Sequence, residues 1–118
     1  MVSQRDIVLV PVPFSDLSAT KRRPVLVLSS TSHNRKSPDI IVVAITSNLA
    51  SGGVSVGIHS DDLDIGSLPA ASLVRADKVY TLSKSIILKR LGRVKVVVFQ
   101  DVLTKLDQVL GRHRDNDA

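Results

Sequence analysis

Arg22-Arg23-Pro24 stands directly before one apolar run, Val25-Leu26-Val27-Leu28-Ser29, and Thr46-Ser47-Asn48 closes the next, which begins at Asp39. If both runs are strands and pair antiparallel, as the polar segment between them permits, the start of the first lies beside the end of the second. Arg23 and Thr46 are then neighbours. A guanidinium beside a hydroxyl, with Lys21 and Arg22 adjacent, can grip a phosphate through forked donors and stabilise the added charge of a pentacoordinate transition state. RNA supplies its own nucleophile, the 2′-hydroxyl, so a site that aligns this oxygen with phosphorus needs no metal and no protein nucleophile. DNA lacks that oxygen and should resist.

Proton transfer is the open step in this chemistry, because arginine is a poor base at ordinary pH; Asp77, His59 and Asp16 are the groups that could assist. Taken alone, a solvated basic turn is the commoner reason for Arg22-Arg23. Hydroxyls bonded to nearby backbone are the commoner reason for Thr46-Ser47 at a strand exit. Their conjunction adds modest weight to the phosphate reading.

The elements that must hold these residues follow from composition and pattern. The chain has 118 residues, 43% hydrophobic and 23% charged, the proportions of one globular domain spanning 1–118. Valine (18) and isoleucine (8) together outnumber leucine (14), which favours a mostly β core over a helical bundle. With no tryptophan, one tyrosine and two phenylalanines, a stacked-aromatic platform for nucleic acid is disfavoured. The absence of cysteine removes disulfides, thiolate zinc sites and cysteine nucleophiles. His33, His59 and His113 form no short-spaced ligand pair and read as exposed loop residues. Asp61-Asp62-Leu63-Asp64 lacks the spacing and terminal glutamate of an EF-hand and reads as a solvated acidic loop. No metal or cofactor is expected, and no Walker loop, dinucleotide fingerprint, nucleophile elbow or His-Glu zinc motif is present. No apolar stretch approaches a membrane span and the N-terminus meets charge early, which implies a cytoplasmic protein. A net charge of +5 nudges the reading toward anionic partners.

Along the chain, residues 7–14 predict a strand that is an edge, or ends, at Pro11 and Pro13. Residues 15–23 read as a basic loop and 30–38 as a polar loop, with strands at 24–29 and 39–46 covered on both faces. Half-buried alternation marks strands at 54–59 and 72–80, followed by a turn at 81–84 and short apolar runs at 86–88 and 93–98. Phe99, Val102, Leu103, Leu106, Val109 and Leu110 recur at three- and four-residue steps, predicting a helix that ends at Gly111, with residues 112–118 a frayed tail. Several short strands and one helix make a small barrel capped by a helix.

In this order Asp6-Ile7-Val8-Leu9-Val10, Lys21-Arg22-Arg23-Pro24-Val25-Leu26-Val27-Leu28, Ile41-Val42-Val43-Ala44-Ile45-Thr46-Ser47, Ser72-Leu73-Val74-Arg75-Ala76-Asp77-Lys78 and Leu91-Gly92-Arg93-Val94 resemble the MazF/PemK toxins of type II toxin-antitoxin modules. The resemblance covers nearly the whole chain and lies in the order of the segments rather than in any one of them. It implies an SH3-like barrel with helical additions, a homodimer, and a metal-independent endoribonuclease acting on single-stranded RNA at short sequences, leaving 2′,3′-cyclic phosphate and 5′-hydroxyl ends. By position, the family's catalytic arginine falls on Arg23, for acid/base transfer and charge stabilisation, and its catalytic threonine falls on Thr46, which would hold the scissile phosphate. Lys21, Arg22, Ser47 and Lys78 would contact RNA. An acidic, partly disordered antitoxin that occupies the groove is the implied protein partner, suited to a +5 chain.

The chain also departs from the family pattern. Many members carry Gly-Ser-Glu before the arginine, whereas Leu17-Ser18-Ala19-Thr20 stands here and glutamate is absent throughout; a frequent glutamine in the later strand is replaced by Lys78. Cleavage specificity therefore does not transfer. Two alternatives compete: a non-enzymatic toxin of the same fold acting on DNA gyrase, and an inactive nucleic-acid-binding homologue. Gyrase poisons of this fold typically use a C-terminal tryptophan, and this chain has none.

Overall fold

The computed structural model describes residues 1–12 and 21–112. The chain runs β1 (Asp6–Val12), β2 (Lys21–Val27), α1 (Thr31–Lys36), β3 (Asp39–Thr46), β4 (Ser55–Ile58), β5 (Leu63–Gly66), β6 (Ser72–Ser83), β7 (Lys89–Val94) and α2 (Val96–Leu110). All seven strands join one antiparallel sheet in the order β4-β6-β3-β2-β1-β7-β5. β4 and β5 occupy opposite edges, yet residues 59–62 alone connect them, so the sheet must curl until its edges meet. Ile58 of β4 and Leu63 of β5 accordingly share one apolar cluster beneath α2. The result is a small, mostly β half-barrel with a C-terminal helix.

Side-chain alternation distributes the central strands between two cores. Ile7, Leu26, Val43 and Ile45 face the cluster that α2 covers, while Val8, Val10, Val25, Val27, Ile40 and Val42 fill the other with Leu82 and Ile86. Both faces of β2 and β3 are covered, which explains their nearly continuous apolar sequence. Each fully buried branched side chain contributes about 1.5–3 kcal/mol relative to exposure.

β1 is not an outer strand of the sheet, since β2 and β7 flank it, but pairing to β7 stops at Leu9 and leaves that side open where Pro11 cannot donate. Pro13 and residues 14–20 lie outside the described residues. Asp6, which opens β1, is buried and accepts from Ser3 N–H at 2.9 Å and from Arg93 Nε at 2.9 Å. It thus ties the N-terminus to β7.

Several local expectations give way to tertiary pairing. Lys21-Arg22-Arg23 is the start of β2, not a loop, because it pairs with Val12, Pro11 and Val10. Part of the polar 30–38 segment forms α1, where Ser30 caps His33 N–H and buried Asn34 bonds to Ser29. The acidic segment is a 3-10 turn at Ser60–Asp62 leading into β5, with Asp62 accepting from His59 N–H and Asp64 paired to Arg5 at 3.2 Å. β6 continues through the expected turn to Ser83, and a 3-10 turn at Lys84–Ile86 replaces the run at 86–88. The expected strand at 93–98 is divided between the end of β7 and the start of α2. Phe99 and Val102 are buried and Leu103 and Leu106 pack beside them, whereas Val109 and Leu110 remain exposed. α2 stops where expected, at Gly111, whose φ of 74° lets the following turn bond back to Asp107 and Gln108. Residues 113–118 lie outside the described chain.

Candidate functional site

β2 and β3 pair with Val25 opposite Ala44, Leu26 opposite Val43 and Val27 opposite Val42. Continuing that register toward the start of β2 sets Arg23 across from Thr46 at the end of β3. Both side chains line a hollow of about 340 Å³ together with Ser51, Arg75, Lys78 and Tyr80. Arg23 also borders a second hollow of about 240 Å³, with Arg22, Ser47, Leu68 and Pro69 among its walls. Arg23 is therefore shared by two recesses. Lys21, two residues before Arg23 on β2, is exposed and lines neither.

Thr46 Oγ1 accepts a hydrogen bond from Asn48 N–H at 3.1 Å, a strand-exit contact that leaves its own O–H as a donor. Asn48 shapes the segment that follows: its side-chain oxygen accepts from Ala50 N–H at 3.1 Å, and its carbonyl accepts from Ser51 N–H at 3.0 Å. This β3–β4 segment carries Ser51 to the hollow.

Lys78 arrives by a different device. β3 and β6 run in register until Val43 opposite Val79, and the next pair is Ala44 opposite Arg75. Ala76, Asp77 and Lys78 are looped out of the ladder, with Ala76 N–H bonded instead to Val54 carbonyl at 2.9 Å. A bulge of this kind bends the strand and re-aims its side chains, and here it turns Lys78 into the recess.

Sequence reasoning gives Arg75 and Ser51 no role and considers Asp77 only for proton transfer; the structure joins the three. Arg75 Nε and Nη2 donate to the two oxygens of Asp77 at 2.9 and 3.0 Å, and Nη1 donates to Ser51 Oγ at 2.5 Å. The hydrogen bond from Arg75 is the main reason that the Asp77 carboxyl is held below the usual carboxylate range, with smaller help from its own and Val54 backbone N–H groups. The same bond raises the Arg75 guanidinium above its ordinary value. The detectable sequence signal was the spacing Arg-x-Asp, which puts both side chains on one face of a regular strand.

Of the groups considered for proton transfer, Asp77 is committed to this fork. His59 lies elsewhere, capping the 3-10 turn with its Nδ1 accepting from Asp61 N–H. Asp16 is outside the described residues, as is His113. His33 is exposed on α1 rather than in a loop. Among the described residues no group of three histidines or carboxylates is placed to hold a metal ion, and no helix is long and apolar enough to cross a membrane. Around Thr46 the site thus presents Arg23, Lys78 and the Arg75–Asp77 pair: an excess of positive charge with hydroxyl donors, suited to a phosphate group.

A family model described as PemK-like, MazF-like toxin of type II toxin-antitoxin system matches residues 3–110. No curated protein sequence matches the chain. Solved structures share its fold. An endoribonuclease in complex with its cognate antitoxin from Mycobacterial species is 22% identical, with 94% of this chain and 96% of that chain covered and a TM-score of 0.76. Mycobacterium tuberculosis toxin MazF-mt6 is 17% identical, with 91% and 97% covered and a TM-score of 0.74. MazE-MazF (Form-II) from Deinococcus radiodurans is 22% identical, with 93% and 95% covered and a TM-score of 0.73.

Proposed function

This chain belongs to the PemK-like, MazF-like toxins of type II toxin-antitoxin systems, and on that premise we propose that it is a metal-independent endoribonuclease of single-stranded RNA. The observation that carries the proposal is the convergence of Arg23, Thr46 and Lys78 on one hollow. The scissile phosphate sits at Arg23, with the Thr46 hydroxyl donating to one oxygen. The substrate 2′-oxygen attacks phosphorus, the bond to the 5′-oxygen breaks, and the products carry 2′,3′-cyclic phosphate and 5′-hydroxyl ends. Arg23 neutralises the charge that builds on the phosphoryl oxygens and, in the role the family resemblance assigns it, moves the proton from the attacking to the leaving oxygen. Lys78 adds a cation beside it, and Arg22 and Ser47 extend the contact into the adjoining recess. Lys21, farther out on β2, meets the RNA backbone beyond both recesses. The same reading brings a homodimer and an acidic antitoxin that competes for this basic surface, supported by the +5 charge and by the antitoxin complexes among the structural relatives.

Incubation of the protein with mixed-sequence single-stranded RNA in excess EDTA, beside Arg23→Ala, tests the proposal. Cleavage by the parent alone, with cyclic phosphate ends, is the expected result. Intact RNA with the folded parent protein on varied sequences overturns it in favour of a protein-directed toxin or an inactive relative.

A further inference from the structure

One guanidinium joins the two segments that deliver the outer walls of the hollow. The segment after Thr46-Ser47 touches the Arg75–Asp77 pair in three places: Ser51 Oγ accepts from Arg75 Nη1, Val54 N–H contributes to Asp77, and Gly53 lies against both charged groups. Gly53 has a φ of +89°, and a Cβ there would overlap Arg75 Nη2 and Asp77 Oδ2. The loop backbone is therefore laid directly on the ion pair, where any other residue would carry a strained positive φ and press on the charged ends. From the other side, Asp77 is the middle residue of the bulge and Lys78 is its next neighbour. The Arg75 side chain is only 12% exposed, so its fork is fixed by packing as well as by partners. Three of its five N–H bonds go to Asp77 and Ser51.

Resting on the cleavage reading above, we propose that Arg75 is a positioning residue for that reaction: its fork ties the β3–β4 segment to the β6 bulge and so sets where Ser47, Ser51 and Lys78 stand relative to Arg23 and Thr46, and with it which nucleotides the site accepts. Arg75 touches no reacting atom in this role. Lysine cannot replace it, because a single ammonium cannot hold both oxygens of Asp77 and reach Ser51 at the same time. The brace works as a unit: releasing either arm frees the same loop, and a displacement of about 1 Å at the hollow lowers cleavage by about a hundredfold.

The experiment compares the parent, Ser51→Ala, Ser51→Thr, Arg75→Gln and Ser51→Ala/Arg75→Gln on a mixed-sequence RNA in EDTA, mapping all ends and measuring kcat and KM on the best-cleaved sequence. Expected are flattened preference at the nucleotides flanking the cut and a ten- to hundredfold fall in kcat/KM for Ser51→Ala and Arg75→Gln, carried mostly by KM. The double variant should be no worse than Arg75→Gln, and Ser51→Thr, which keeps the hydroxyl, should restore the parent profile. Unchanged cut sites and unchanged kcat/KM in Ser51→Ala and Arg75→Gln overturn the proposal while the parent still cleaves, as do losses that multiply in the double variant. If Arg75→Gln does not fold, the Ser51→Ala loss and its rescue by Ser51→Thr decide the matter alone. A folded parent that cleaves no RNA removes the cleavage reading and this role together.

Discussion

Arg23 and Thr46, separated by the whole of α1 and most of two strands, face the same hollow because the β2–β3 register sets the start of one strand against the end of the other. An antiparallel ladder is rigid at this scale, so the guanidinium and the hydroxyl are held by central strands whose apolar faces are buried on both sides. The pair stands where these two strands emerge from their buried stretch, with Arg23 exposed, while its companions come from a loop and a bulge.

Removing either member should damage chemistry and spare the fold. Arg23→Ala and Arg23→Lys are expected to lose about 10²–10³ or more in kcat on RNA, the lysine variant because it lacks the planar fork. Thr46→Ala should lose about as much and Thr46→Ser much less, since serine keeps the donor. Arg23 is exposed, so urea unfolding of its variants should stay within about 0.5 kcal/mol of the parent.

Binding should report the basic start of β2 separately from cleavage. With an RNA methylated at the 2′-oxygen of the cut site, which removes the nucleophile, Lys21→Ala and Arg22→Ala should each weaken affinity across sequences and reduce the slope of log K against log salt by about 0.7. Titrations at several salt concentrations measure this. A slope unchanged by either substitution places these cations away from the RNA.

Asp77 gives the site an acid limit. Its carboxyl titrates below the unfolded value in the native state, so the ion pair contributes stability that is fully present above about pH 4 and is lost as pH falls through the lower native value. Denaturation of the parent and Asp77→Asn should therefore show a stability difference that is constant from about pH 8 to 5 and shrinks below about pH 4. A difference that grows on acidification contradicts the assignment.

Closure of the half-barrel depends on two facing glycines. Gly66 of β5 pairs with Gly92 of β7; Gly66 has a φ of +81°, a Cβ on it would strike Leu91 carbonyl oxygen, and a Cβ on Gly92 would strike that of Ile65. Alanine at either position should destabilise the protein by about 1–3 kcal/mol in urea unfolding, with Gly66→Ala adding backbone strain to the clash.

Much of the frame was legible because its signals are local. The apolar runs at 24–29 and 39–46 announce strands covered on both faces, and the three- and four-residue spacing from Phe99 through Leu106 announces the helix that stops at Gly111. The juxtaposition of Arg23 with Thr46 followed from the same two runs once antiparallel pairing was assumed. Length, valine-rich composition and segment order also sufficed to indicate the fold and the family.

The tertiary structure alone decided what depends on partners distant in the chain. Lys21-Arg22-Arg23 is strand because β1 supplies its ladder, and β5 exists because β7 does, although neither segment carries a strand pattern of its own. The looped-out Ala76-Asp77-Lys78 follows from a register change between β3 and β6, and the Arg75 fork from the return of Ser51 and Gly53 across that bulge. Hydrophobic periodicity records which face of an element is buried, but it carries no information about where two ladders fall out of step. That misfit is what brings Lys78 to the hollow beside Arg23, where the loop after β3 sets Ser51.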